Sequence, residues 1–357
     1  MLADLAIVFL VFGAVFRSWR HIPQAVRASF ASGGFWRGLR LMFRGKMEKQ
    51  LPAFQYTPGG TRIHFLATGA SDAILLESDG HFALIDAAED YDNPKNKPTL
   101  QKNGFEQYVL DYVRRVAGGR LDWVLGTHSH SDHLGGFDTL ILAPDIRIGQ
   151  AYLKPYLNEN KCQYEKSWDN QEVYDQMAAA CRARGVPLIQ ENLDGMRLTL
   201  GEMELTSFNG ELHPSSLDEN DNSIGLLVQC RGSRAFLAGD ICNVTSRESL
   251  LGPKIGPVDL LKCGHHGYEG SSTMGMIVHL MPKDVVVCNS GWRAYPTVKR
   301  RFVGISNSRL MATADLGGIA AEFTNEGLRY FAIGEFPKGP GGAEFTPAVL
   351  PAQQPFA

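Results

Sequence analysis

Four side chains of metal-binding type fall within six residues: His128, His130, Asp132 and His133, in the run LGTHSHSDHLGG at 125–136. The residues before them, 123–127, are apolar and read as a short strand, in which alternate side chains share a side. His128 and His130 can therefore point the same way as the strand frays, with Asp132 and His133 following in the turn. Gly135 and Gly136 are expected to let the backbone bend sharply beside them. Imidazole nitrogens with a carboxylate form a donor set for zinc, and also for manganese or iron.

The elements that would position this cluster can be read around it. Residues 63–68 and 73–77 read as a pair of strands, and 82–86 as a third. Helical spacing marks 105–116 and 172–184. Further strands are expected at 203–208, 224–229, 235–238, 260–262 and 285–288. Helices interspersed among strands make the class α/β.

With 357 residues the chain can bury a sizeable core in one large domain or two small ones. A net charge of −3 excludes a polycation, so attraction to nucleic acid or anionic lipid must come from a local patch. The cysteines Cys162, Cys181, Cys230, Cys242, Cys263 and Cys288 form no C-x-x-C pair, which argues against a zinc ribbon and for a reducing compartment.

Three regions are expected: an amino-terminal segment at 1–55, a main domain at 56–335 that carries the ligand cluster, and a Pro/Gly/Ala-rich tail at 336–357. Residues 5–16 (LAIVFLVFGAVF) are wholly apolar, but shorter than the roughly 20 residues of a straight spanning helix. Arg17, Arg20, Arg27, Arg37, Arg40, Arg44, Lys46 and Lys49 follow, interleaved with aromatics. This order fits a short anchor with a cytoplasmic basic flank, or an interfacial helix on anionic lipid. It also fits a first helix docked on the core. The expectation is membrane association with the main domain facing the cytoplasm, a soluble cytoplasmic protein being the alternative.

H-x-H-x-D-H after an apolar strand resembles the signature of the metallo-β-lactamase superfamily. The likeness extends to its competence-protein, ComEC-like branch. Residues 64–75 (HFLATGASDAIL) resemble that branch's opening motif, and Leu84-Ile85-Asp86 its L-I-D. Leu212-His213-Pro214 with Asn222-Ser223 resembles L-H-P…N-S. Leu237-Ala238-Gly239-Asp240 resembles L-x-G-D, and residues 261–267 (LKCGHHG) resemble L-K-x-x-H-H-G. The resemblance runs from about residue 62 to 332. It implies the metallo-β-lactamase fold, an αββα sandwich of two mixed sheets flanked by helices.

It also implies two divalent metal ions, zinc by expectation, with a hydroxide between them as nucleophile. His128, His130 and His213 would hold one ion. Asp132, His133 and one histidine of the pair His265 and His266 would hold the other, the sequence leaving open which. The second histidine would face substrate as a proton donor, and Asp240 would bridge the ions. Asp86 would orient a ligating histidine, while Asp72, Asn222, Ser271 and Ser272 would line the pocket or make turns. Cys242 and Cys263 are expected to pack. The chain departs from the branch at Ser71, at Ala87-Ala88, at Tyr268 where serine is common, and at Tyr295 where histidine is frequent. These departures bear on substrate rather than on the metal set.

Three functions compete. The first is a phosphodiesterase, nuclease-like, acting on a phosphate ester with nucleic acid among the substrates. The second is a hydrolase of a lactone, thioester or phosphorylcholine ester. The third is a membrane-tethered binding module with a decayed site, against which the intact metal set argues.

Overall fold

The computed structural model describes residues 47–91, 104–213, 216 and 218–337. Strands β1 (Thr61–Phe65), β2 (Ala73–Ser78) and β3 (His81–Ala87) are buried along almost their whole length, so each must be covered on both faces. Alternation does this. Leu75 and Leu84 enter one hydrophobic core, while Ile74, Leu76 and Ile85 enter another.

Parallel strands β4 (Arg120–Leu125), β5 (Arg147–Tyr152) and β6 (Leu188–Ile189) extend this sheet from β3. The second sheet holds β7 (Arg197–Leu200), β8 (Met203–Phe208), β9 (Gly225–Cys230), β10 (Ser233–Leu237), β11 (Leu260–Lys262), β12 (Asp284–Val287) and β13 (Arg309–Ala312). Strands β14 (Ile319–Thr324) and β15 (Gly327–Ala332) return to the first sheet. The orders are β15-β14-β1-β2-β3-β4-β5-β6 and β13-β12-β11-β10-β9-β8-β7. Both sheets are mixed, and the strands from β10 to β13 pair in parallel.

One core joins the two sheets, with Ile63, Phe65 and Ile74 among its members from the first and Leu226, Val228 and Val286 from the second. The other lies between the first sheet and the helices α1 (Glu106–Ala117), α3 (Phe137–Leu142) and α4 (Asn170–Arg184), with a single turn α2 (Ser131–Leu134) before α3. In α1 the residues Val109, Tyr112, Val113 and Val116 form the buried stripe. The helix stops at Gly118, which takes the left-handed φ of 59°.

The expected helices and most expected strands lie within a few residues of these bounds, and β8 and β11 coincide with them. The sequence reading missed β5–β7 and β13–β15. Several of these are half-exposed or alanine-rich, and so lack the branched or aromatic runs that mark a strand. Residues 47–54, which that reading joined to the amino-terminal segment, pair with the sheets: Glu48 N donates to Leu310 O and Phe54 N to Ala332 O. Gly135 and Gly136 make no left-handed bend, their φ values being −49° and −77°. They are needed for close approach, since a Cβ on Gly136 would lie 2.3 Å from Ala87 O. The apolar run at 5–16 lies outside the described residues, among which no helix is long and apolar enough to cross a membrane.

Candidate metal centre

The loops at the ends of the parallel strands carry the candidate ligands, the usual location for sites in sheets of this kind. Beyond β4, Thr127 is pinned to Asp86 near the end of β3. Its N and Oγ1 donate to Asp86 Oδ1 and Oδ2 at 2.8 and 2.9 Å. This fixes where the strand gives way to His128.

Each clustered histidine is aimed by a bond at its other ring nitrogen. His133 Nδ1 lies 2.7 Å from Asp86 Oδ2, leaving Nε2 at 3.2 Å from Asp240 Oδ2. His266 Nδ1 donates to Cys288 O at 3.2 Å, leaving Nε2 at 3.1 Å from Asp240 Oδ2 and 3.2 Å from Asp132 Oδ2. His130 Nε2 meets Glu165 Oε2 at 3.1 Å, so its Nδ1 faces His128 Nε2 at 3.0 Å. His128 Nδ1 in turn meets Thr127 Oγ1 at 3.1 Å.

Asp132, His133, Asp240 and His266 thus offer donor atoms within 4.8 Å of one another. The Nε2 atoms of His133 and His266 are sealed from solvent without a hydrogen-bond partner. Orphaned imidazole nitrogens converging on carboxylates suit a divalent cation. The facing nitrogens of His128 and His130 form an adjoining pair, with the His128 and His133 rings 4.2 Å apart. The residues present can hold a dinuclear site.

The charges around it are tightly balanced. Burial opposes a proton on His133, yet Asp240, Asp86 and Asp132 outweigh that and hold the imidazole well above its ordinary value. The same contest, led by Asp240, raises His266 to about 9. Burial would push Asp240 up, but His266, His133 and Lys262 hold it well below the carboxylate range. Lys262, the last residue of β11, is fully buried. Its Nζ pairs with Asp72 Oδ2, lies 3.2 Å from Asp240 Oδ1 and donates to Gly239 O at 2.7 Å. Burial disfavours that charge, but Asp72 and Asp240 keep the ammonium raised. His128 carries the opposite shift, lowered by burial and by His133 and His130.

Of the pair that the sequence left open, His266 and not His265 joins the four-residue group. Both residues adopt left-handed φ, 44° and 50°, and this turn sends the two rings apart. His265 lies at the solvent edge, 27% exposed, with Nδ1 3.3 Å from Cys242 Sγ and Nε2 3.9 Å from Asp240 Oδ2. His213 lies outside the four-residue group, its Nε2 buried without a hydrogen-bond partner. It lines a separate small pocket with Asp194, Asn209, Glu211, Arg247 and Lys254. Burial, Arg247 and Lys154 hold its imidazole low, and its N is tied to Asn222 Oδ1 at 2.8 Å.

The other candidates are buried around the site, Asp72 converging with Asp86 on His133. Asp72 is fully buried against Lys262, and Asn222 is fully buried between His213 and Glu219. Ser271 Oγ donates to Gly264 O, and Ser272 Oγ accepts from Gly264 N, tightening the His265–His266 turn. Cys263 packs there against Ser272 Oγ, at 3.3 Å.

Sequence reasoning missed Lys262, Thr127 and Glu165. The first lies inside the LKCGHHG motif, and a lysine ending an apolar strand beside ligand residues was the available signal. Glu165 carries none, being 35 positions from His130.

The model of a family described as the metallo-β-lactamase superfamily matches residues 66–274. The chain belongs to that superfamily, whose members are mostly hydrolytic enzymes. A curated relative, ComE operon protein 3 of Bacillus subtilis (strain 168), is 24% identical over 183 residues. The match covers 51% of this chain and 22% of that protein, so the chain spans about a fifth of its length. Among solved structures, the metallo-β-lactamase fold protein YhfI from Bacillus subtilis has a TM-score of 0.44 at 13% identity, covering 73% of this chain and 100% of that one. CmlA, a diiron β-hydroxylase from Streptomyces venezuelae, has 0.43 at 14%, covering 72% and 53%.

Proposed function

We propose that this superfamily member is a two-metal phosphodiesterase acting on phosphate esters, nucleic acid among them. One observation carries the reading: the His128–His130 pair adjoins the Asp132–His133–Asp240–His266 group, with rings 4.2 Å apart. Two divalent ions held side by side supply a water activated at neutral pH and charge stabilisation for both the attacking and leaving oxygens at phosphorus. The order of the motifs, similar to that of the competence-protein branch, supports the phosphate ester over a carbonyl ester.

The protein's own part is orientation. Asp240 presents Oδ2 toward His133 and His266, while Lys262 occupies Oδ1, so Oδ2 is the oxygen that would meet a bound ion. Asp86, Thr127, Glu165 and the Cys288 carbonyl fix the tautomers of the four histidines. His265, partly exposed beside Asp240, is placed to pass a proton at Nε2 to the departing oxygen.

The test is a panel of zinc-, manganese- and iron-reconstituted protein on bis-p-nitrophenyl phosphate, p-nitrophenyl phosphorylcholine, single- and double-stranded DNA, RNA and a thioester. Turnover of the diesters is expected. Turnover of the thioester alone would replace this reading with carbonyl-ester hydrolysis.

The histidine pair separates two roles. His266→Ala is expected to lower bound metal, measured by elemental analysis. His265→Ala should keep full metal, yet slow esters with poor leaving groups about 10²-fold more than p-nitrophenyl esters, which need no proton. Equal metal content and equal rates in both variants would remove both assignments.

A further inference from the structure

Residues 291–301 (GWRAYPTVKRR) hold four cations, two aromatics and no acid. This loop is seated on the histidine turn. Tyr295 N donates to Gly267 O at 2.9 Å, and a Cβ on Gly267 would stand 3.0 Å from Ala294 Cβ. A ladder of edge-to-face rings leads outward from the metal group. Tyr268 lies 6.3 Å from His266 and 5.5 Å from His265, and Tyr295 lies 6.0 Å from Tyr268 at 88°. The ladder ends in exposed surface: Tyr295 is 43% exposed, and Trp292, three residues earlier, 76%. The Arg293 guanidinium lies 5.1 Å from the Trp292 ring centre.

The cations divide into two kinds. On the short helix α5 (Pro296–Arg301), Lys299 Nζ donates to Gly291 O, and Arg301 is held by Glu269 and Ser271 O, so both brace the loop. Arg293 and Arg300 are exposed. A large aromatic left in water costs free energy unless a ligand covers it, and exposed aromatics interleaved with cations match stacked bases joined by phosphates. A quaternary ammonium would meet the rings but be repelled by the four cations. A duplex offers no free base faces to stack.

We infer that Trp292, Tyr295, Arg293 and Arg300 form a subsite for single-stranded nucleic acid flanking the metal centre, the rings stacking bases and the arginines taking phosphates. The inference rests on the nucleic-acid part of the proposed function and names which form of it the site takes. Tyr268 and Tyr295 are also two of the positions at which the chain departs from the competence-protein branch.

The experiment measures binding of labelled, hydrolysis-resistant phosphorothioate oligothymidine to metal-loaded full chain by fluorescence anisotropy. A matched oligomer of abasic residues is the comparison. The thymidine oligomer should bind about 5- to 150-fold more tightly. Trp292→Ala and Tyr295→Ala should each remove much of that difference, and Tyr295→Phe should restore it. Arg293→Ala or Arg300→Ala should weaken both oligomers alike and reduce the salt slope by about 0.7. Equal affinity for the two oligomers, or a difference that persists in the Trp292→Ala/Tyr295→Ala double variant, overturns the subsite. Base preference without phosphodiester cleavage keeps the subsite and removes the hydrolytic reading. Cleavage of DNA without base preference does the reverse.

Discussion

Replacing Asp240 with asparagine is expected to strip the protein of most bound metal and to lower kcat/KM on a phosphodiester by about 10³-fold or more. The carboxylate sits at the centre of the four-residue group, with Oδ2 3.2 Å from His133 Nε2 and 3.1 Å from His266 Nε2. An amide of the same shape keeps the packing but removes the negative charge that two cations would share. Two-metal stabilisation of a transition state is worth several kcal/mol, and each ~1.4 kcal/mol is tenfold in rate. Elemental analysis after dialysis against a weak chelator, beside rates on bis-p-nitrophenyl phosphate, gives both readouts. A variant that retains about two ions per chain and a tenth of the rate would show that Asp240 is not shared between metal positions.

Lys262→Met should unfold at markedly lower denaturant in the metal-free state, by about 3–5 kcal/mol. The ammonium is fully buried and paired with Asp72 and Asp240, which are buried too. Methionine fills much of the same volume, but leaves Asp72 without its ammonium and Asp240 with only His133 and His266 as counter-charges in a low-dielectric interior. Removing one partner of a buried pair is costly because the other stays charged and unsolvated. Divalent metal would neutralise Asp240, so the metal-loaded variant should recover part of the loss. Urea titration of both proteins, with and without zinc, checks this. Equal midpoints for wild type and Lys262→Met in the metal-free state would mean that Lys262 does not compensate these carboxylates.

The sequence alone determined the ligand types and their local order. H-x-H-x-D-H behind an apolar strand places His128, His130, Asp132 and His133 within one turn of chain, because a strand end and a tight loop leave few alternatives. Continuous apolar runs such as those of β2, β3 and β9 also disclosed strands that must be covered on both faces. Local spacing carries such information since it depends only on backbone geometry.

Tertiary structure alone decided which distant residues meet the cluster. Nothing in the pair His265-His266 says which ring turns inward. That follows from two consecutive left-handed residues and from the Cys288 carbonyl on the neighbouring strand end. His213 matches a ligand position by motif, and the fold ties its N–H to Asn222 Oδ1 and sets the residue in a small pocket with Arg247 and Lys254. Glu165 reaches His130 across 35 residues, and Lys262 reaches Asp72 across 190. Such pairings depend on how two sheets stack and where their parallel strands end. Burial then sets the charge states, because a lysine or aspartate in a dry interior is stable only where the fold brings its counter-charge.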